Sequence, residues 1–407
     1  MTAPWPISTI GDQFEVQLGK MLDTIKNIGI PKPYIGNRSV QWGRIDLSAV
    51  GTVPLTRSDV RRYRLRKGDL LVCEGGEVGR GAIWRDQLLE CYFQKALHRL
   101  RSKGSYDVRL MLALLEYWAS VGAFSNYVTQ TSIAHLPRDK FIQMPLPVPS
   151  AAEQARISDA MQDVDGLVFA LEQMIAKKQA IKQGMLQRLL TGELRLSGWP
   201  RSSLSELIDG LEAGVSVRSS ERSSSGVAVL KTSAVGNGRF DPSEAKPVLS
   251  ADIGRVRCNP VAGSLIISRM NTPALIGEVG YVEYDYSNLY LPDRLWLARA
   301  KRSGGRQVNM RWLGYYLSSG PGSRAVRELA TGTSGSMKNI PKERLLALEV
   351  PTPPSHEQDR IAQVVLDAEC EIDLLRDRLT KARGVKRGIV QQLLTGRTRL
   401  PVEESAA

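Results

Sequence analysis

Cysteine and histidine are scarce. Cys73, Cys91, Cys258 and Cys370 lie far apart in a chain of 407 residues, and the three histidines are His98, His135 and His356. With no Cys-x-x-Cys pair, neither a structural zinc site nor a disulfide framework is expected. Nucleophilic or metal catalysis has few candidates for the same reason. No apolar run approaches the ~18 residues that a bilayer crossing needs. The opening Met-Thr-Ala-Pro-Trp-Pro-Ile-Ser lacks the basic stretch and apolar run of a signal peptide. A cytoplasmic protein with no membrane partner is expected. Phosphate-binding Gly-x-x-x-x-Gly-Lys-Ser/Thr is also missing. Gly75-Gly76-Glu-Val-Gly79-Arg-Gly81 has the wrong spacing for a dinucleotide loop and reads as a hairpin turn. Pro353-Pro354 lacks both flanks of an amino-methyltransferase motif, and Glu244-Ala-Lys246 lacks the Pro-Asp partner of a nuclease motif. No catalytic residue and no metal ligand is assigned. The chain reads as a binder, not an enzyme.

What the chain has in excess is positive charge: 55 Lys+Arg stand against 42 Asp+Glu, a net of +13. It also repeats itself. Pro147-Val-Pro-Ser-Ala-Ala-Glu153-Gln154-Ala-Arg156-Ile157 is answered 204 residues later by Pro351-Thr-Pro-Pro-Ser-His-Glu357-Gln358-Asp-Arg360-Ile361. At the same offset, Lys182-Gln-Gly184-Met-Leu-Gln187-Arg-Leu189-Leu190-Thr191-Gly192 is answered by Lys386-Arg-Gly388-Ile-Val-Gln391-Gln-Leu393-Leu394-Thr395-Gly396. Between these signatures a 3.5-residue apolar period persists for over four heptads, as in a coiled coil. The first seam runs Ile157, Met161, Val164, Val168, Leu171, Ile175, then Lys178 and Lys182; the second includes Ile361, Val365, Ile372, Leu375 and Leu379. Ser150-x-x-Glu153 and Ser355-x-x-Gln358 have the spacing of capping boxes, and Gly192 and Gly396 stand where a left-handed residue ends a helix. At ~1.5 Å per residue, each seam makes a rod of roughly 50 Å.

The segments before the rods are related more loosely. Gly43-Arg44-Ile45-Asp46 matches Gly238-Arg239-Phe240-Asp241, Gly68-Asp-Leu-Leu-Val72 matches Gly263-Ser-Leu-Ile-Ile267, and Val78-Gly79 matches Ile276-Gly277. Short β-branched runs at 69–73, 82–84, 265–267 and 279–282 read as strands, and 108–119 and 308–317 as helices, so each head is mixed α/β. The order is head, helix, head, helix, with boundaries at 1–145, 146–198, 199–345, 346–400 and a tail at 401–407.

Charge follows this division. Residues 1–150 carry +7, 151–200 zero, 201–345 +7 and 346–407 −1. Two basic heads on neutral rods fit a polyanionic partner, double-stranded DNA most simply. Arg61, Arg62 and Arg64 with Arg99 and Arg101 in the first head, and Arg299 and Lys301 in the second, read as phosphate-contacting strips. Base reading needs Arg or Lys toward guanine, Asn or Gln toward adenine, and acids toward cytosine. Loops offer such groups at Asn37-Arg38-Ser39-Val40-Gln41, Glu74 and Glu77, and Gln130 and Thr131 in the first head. In the second they are Lys231 and Thr232, Arg269, Asn271 and Thr272, and Thr331, Thr333 and Ser334.

Two variable heads, two near-identical helices, Pro-x-Pro…Glu-Gln-x-x-Ile leading into each helix and Gln-x-Leu-Leu-Thr-Gly ending it together resemble the DNA specificity subunit of type I restriction-modification systems. The resemblance implies two target-recognition domains whose helices pair as an antiparallel coiled coil. That pair would set the unread gap of a bipartite asymmetric site. It further implies two methylation subunits that carry S-adenosylmethionine and modify adenine, and motor-nuclease subunits that cut unmodified DNA. This chain would bind no cofactor itself. The second head departs from the first in having Ser264 where Asp69 stands. The alternative reading is a coiled-coil structural protein whose basic heads bind DNA without sequence preference.

Overall fold

The computed structural model describes residues 5–400 apart from 24, 26, 105, 131–133, 192–197, 221–225, 237, 304–305 and 333–336. It forms two compact units. The first comprises Met1–Glu172 and Asp377–Ala407, the second Gln173–Arg376. Each unit thus owns one head and half of each long helix, Ala151–Thr191 and Ser355–Leu394. The mixed α/β class with two heads and two pairing helices is observed. Among the described residues no helix is long and apolar enough to cross a membrane.

In the first unit, Phe14–Leu18, Leu97–Ser102, Leu70–Cys73 and Gly81–Ile83 form a four-stranded antiparallel sheet in that order. Leu70–Cys73 is buried throughout because both faces of the sheet are covered. Side chains alternate along a strand, so Leu70 and Val72 join the core under helix Val108–Ser120, while Leu71 and Cys73 join a second core. That second core is closed by a three-stranded sheet of Gly51–Leu55, Ile30–Ile35 and Tyr92–Phe93. The second unit repeats the device. Leu265 and Ile267 face helix Met310–Ser318, and Ile266 faces the smaller core with Leu230 and Leu291. The 74–80 stretch joins two antiparallel strands, the hairpin connection that its glycines suggest.

Each head's core runs on into the helix pair of its own unit. In the first unit, Ile157 and Met161 pack in one cluster with Leu393 and Leu394, and Glu172 meets Arg383 at 2.7 Å. In the second, Leu186 and Leu190 share a core with Ile361 and Val365, and Lys178 and Lys182 reach Glu371 and Glu369 at 2.7 and 2.9 Å. Numbers fall on one helix as they rise on the other, so the pairing in each unit is antiparallel. Of the seam positions, Ile157, Met161, Leu171, Ile175, Ile361, Val365, Ile372 and Leu375 are buried; Val164, Val168 and Leu379 are half-buried. The seam lysines bind acids at the edge of the pair instead of entering it. Lys386, the counterpart of Lys182, meets both Asp165 and Glu116 at 2.8 Å.

The repeated Glu-Gln signature acquires a structural explanation. Gln154 is buried, donates to the Pro149 carbonyl at 2.9 Å and accepts the Asp107 amide at 2.7 Å. Gln358 does the same with Pro353 and Asn309 at identical distances. Asp107 and Asn309 are the N-caps of the two head helices. One glutamine per unit therefore ties the start of a long helix to the start of a head helix, answering polar backbone groups that burial would otherwise orphan. The preceding glutamates take tryptophan indoles, Glu153 from Trp5 and Glu357 from Trp199.

The capping boxes differ. Ser150 and Glu153 form theirs reciprocally. Ser355 and Gln358 do not: the Pro354 carbonyl accepts the amides of Glu357 and Gln358, so the helix already begins at Ser355, and the Gln358 side chain is spent on Pro353 and Asn309. Gly396 has φ +69° with its amide on the Leu393 carbonyl, the left-handed stop expected there. Gly192 lies outside the described residues.

Candidate nucleic-acid interface

Three loops of the first head meet at one place. Asn37–Ser39 is a single 3-10 turn leading into the small hairpin Val40–Gln41 and Arg44–Ile45. The Asn37 amide donates to the Gly75 carbonyl at 3.0 Å. Gly75 in turn bridges His135, and the Leu136 amide donates to Glu74. His135 belongs to the two-residue strand paired with Thr129–Gln130. The segments holding Arg38 and Gln41, Glu74 and Glu77, and Gln130 are therefore contiguous, although they are far apart in sequence. Arg38 is exposed, and Gln41 donates to its carbonyl at 2.9 Å. Glu77 is exposed, accepting from Trp42 at 2.6 Å and pairing with Arg80 at 3.0 Å. Burial raises the Glu74 carboxyl above its ordinary pKa, with His135 and Lys95 opposing. Thr131 and the Gln130 side chain lie outside the described residues.

Arg61 and Arg62 end helix Arg57–Tyr63, and Arg64 follows it; all three are exposed. The helix is held by a Thr56–Asp59 capping box, and Asp59 also takes Lys20 at 2.9 Å. This leaves the arginines at its end turned to solvent, a strip with the chemistry of phosphate contact.

Arg99 and Arg101 are not part of such a strip. They alternate on the Leu97 face of their strand, inside the fold. Arg99 is 3% exposed, donates to Glu15 at 2.6 Å and lies over the Phe93 ring. Arg101 binds buried Asp69 through two parallel bonds of 2.8 and 2.7 Å, the strongest geometry available to that pair. In the second head, Arg299 faces Glu212 at 3.6 Å and Lys301 donates to the Ser205 carbonyl at 2.9 Å. Carboxylates engage Arg99, Arg101 and Arg299, and a backbone carbonyl engages Lys301, partnerships that their spacing in sequence could not reveal.

In the second head, Met270–Asn271 pairs with Lys338–Asn339, and Thr331 exchanges backbone bonds with Asn339. The Arg269 guanidinium lies over the Trp296 ring at 5.3 Å, with Nε 3.4 Å from Asn339. Thr272 and Thr331 are exposed at this junction; Asn271 is buried, bonded to Ser268 and to the Thr272 amide, and shapes the turn. Lys231 pairs with Glu244, which Ser233 also reaches, and Thr232 is half-buried beside them. Thr333 and Ser334 lie outside the described residues. The sequence reading named the loop that holds Asn37 but missed Trp42 and Arg80 in the first head and Lys338 and Asn339 in the second. Only Arg80 carried a signal, as the charged residue within Gly79-Arg-Gly81. Among the described residues no cluster of His, Cys, Asp or Glu could hold a metal ion.

A family model described as the type I restriction modification DNA specificity domain matches residues 3–183. The putative type I restriction enzyme MjaX specificity subunit of Methanocaldococcus jannaschii is 23% identical over 429 residues, covering 97% of this chain and 96% of the relative. The type I restriction enzyme MjaVIII specificity subunit of the same organism is 23% identical over 286 residues, 66% of each chain. In fold, the S subunit of a type I restriction-modification system from M. genitalium superposes with a TM-score of 0.60 at 14% identity over 96% of each chain. A chain from a structure concerned with complex assembly and conformational transition of the type I R-M system superposes with a TM-score of 0.59 at 15% identity, covering 98% of this chain and 99% of that one.

Proposed function

We propose that this chain, similar over its length to type I restriction enzyme specificity subunits, is such a subunit and that each head reads one half of a divided, asymmetric double-stranded DNA site. The subunit is non-catalytic. The observation that carries the reading is the convergence, in the first head, of the 37–41 and 74–77 segments with the paired strands Thr129–Gln130 and Ala134–His135; the same head carries exposed arginines at the end of helix Arg57–Tyr63. Arg61, Arg62 and Arg64 position the duplex; Arg38, Gln41, Glu74 and Glu77 face base edges. In the second head Arg269, Thr272 and Thr331 hold the corresponding place. Arg99, Arg101, Arg299 and Lys301 drop out of the contact set because the fold already uses them.

The partners of this reading are two methylation subunits, which bring S-adenosylmethionine and modify adenine, and motor-nuclease subunits. The paired helices serve as the spacer between half-sites. Competition binding with the reconstituted methylation complex tests it: one bipartite duplex is preferred by orders of magnitude, and equal binding to every duplex would mean a DNA-binding coiled coil without sequence preference. Deleting four residues in the 171–175 region, or adding a heptad to both helices, changes the gap of the methylated motif; an unchanged gap refutes the spacer role.

A further inference from the structure

Within the 74–80 loop one side chain is turned inward. Arg80 keeps only 17% of its side-chain surface exposed. Its Nη2 donates to both the carbonyl and the side-chain oxygen of Asn37 at 3.1 Å, and its Nη1 to Glu77 at 3.0 Å. Glu77 uses its other oxygen to hold Trp42 at the tip of the small hairpin. A planar guanidinium offers donors in a fixed fork, so its three contacts fix the relative placement of the two loops and not merely their proximity. The grip reaches both ends of the 37–42 segment, at Asn37 directly and at Trp42 through Glu77.

The second head is built differently at this point. By the repeat, Arg80 corresponds to Glu278, which accepts from Arg327 on helix Gly320–Glu328 at 2.6 Å. An acid cannot make the same bridge to backbone and amide oxygens.

We propose that Arg80 is a positioning residue of the first head alone: it locks the 37–42 segment against the 74–77 loop, and the base preference of the first half-site depends on that lock. The proposal rests on the reading that these two loops face DNA. Arg80 itself touches no base. Its Nε is buried without a hydrogen-bond partner, so an apolar side chain of similar length removes a group that is already imperfectly satisfied. Arg80→Met should therefore fold while loosening the two loops, which keep only the Asn37 amide on the Gly75 carbonyl and Trp42 on Glu77 as side-chain ties.

The test is half-site-resolved specificity, measured with the intact subunit in its methylation complex. The panel is a set of duplexes carrying single-base changes in each half-site. Gln41→Ala identifies which half-site the first head reads. Arg80→Met is expected to reduce discrimination at that half-site at least fivefold, to leave the other within twofold, and to keep the melting temperature of the free subunit. Asn37→Ala removes the side-chain oxygen that Arg80 grips, together with the amide bond to Gly75, and leaves the backbone carbonyl; it is expected to reproduce the pattern should Arg80→Met fail to fold. If Gln41→Ala alters one half-site and neither clamp variant does, the positioning role is wrong while the loop reading stands. Equal loss at both half-sites also overturns it, since that is general loosening. If Gln41→Ala, Arg80→Met and Asn37→Ala all leave both half-sites intact, the loop reading falls and this proposal with it.

Discussion

Replacing Arg101 by Met separates a fold-bracing arginine from a DNA-contacting one. Asp69 keeps about 2% of its side chain exposed and receives two bonds from Arg101 and one from the Arg66 amide. Removing one member of such a pair leaves a desolvated charge and costs about 3–5 kcal/mol. Arg101 retains 27% of its side-chain exposure, so water reaches the site and the lower figure of about 3 kcal/mol applies. For a unit of about 200 residues that corresponds to a melting shift of roughly 6–12 °C. The companion variant carries Asp69→Ser as well, because the second head already has Ser264 at this position, in an equivalent turn where its amide donates to Val261 as that of Asp69 does to Arg66. With neither charge left, the double variant should lose only about 1 kcal/mol. Urea and thermal denaturation of both variants, with the wild type alongside, give the cycle. A cost below 1 kcal/mol for Arg101→Met, or an equal cost for single and double variants, would refute the assignment. The salt dependence of DNA binding should be the same for the double variant as for the wild type.

Arg61→Ala/Arg62→Ala should behave in the opposite way, with stability unchanged, affinity lowered for all duplexes alike, and the slope of log K against log salt reduced by about 2; an unchanged slope removes both from the phosphate strip. Gln154→Ala orphans the Asp107 amide and the Pro149 carbonyl, so the first unit should lose about 2–4 kcal/mol and the Asp107 amide should exchange faster; exchange as slow as in the wild type would show that another group answers it. His98 is fully buried, and burial pushes its pKa down to about 4, with the Leu136 carbonyl opposing and Arg138 reinforcing. Because the folded value lies below the unfolded value of about 6.5, its contribution is complete above that pH and is lost as pH falls from 6.5 toward 4, at up to about 1.4 kcal/mol per pH unit. His98→Gln should flatten that slope in pH-dependent urea denaturation, and an undiminished slope would place the acid sensitivity elsewhere.

Much of the molecule was legible before any coordinates. The 204-residue repeat and the seam from Ile157 to Ile175 disclose two long helices, because a 3.5-residue period has one structural meaning over so many turns. The runs at 69–73 and 265–267 disclose strands. The charge of the two heads, +7 each, is equally legible, since net charge is additive and needs no geometry.

Tertiary structure decided which charges remain available. Arg99 and Arg61 look alike in the chain; one lies inside a sheet beside Glu15 and the other ends a helix in water. It also decided the meaning of Gln154 and Gln358, whose partners at Asp107 and Asn309 are about fifty residues away. Arg80, one cation in a glycine-rich turn, becomes a clamp only when packing of the two sheets brings Asn37 beside it. Periodicity and composition are local or additive, so sequence alone determines them. Burial and partnership depend on contacts between distant segments, and those exist only once the chain has folded.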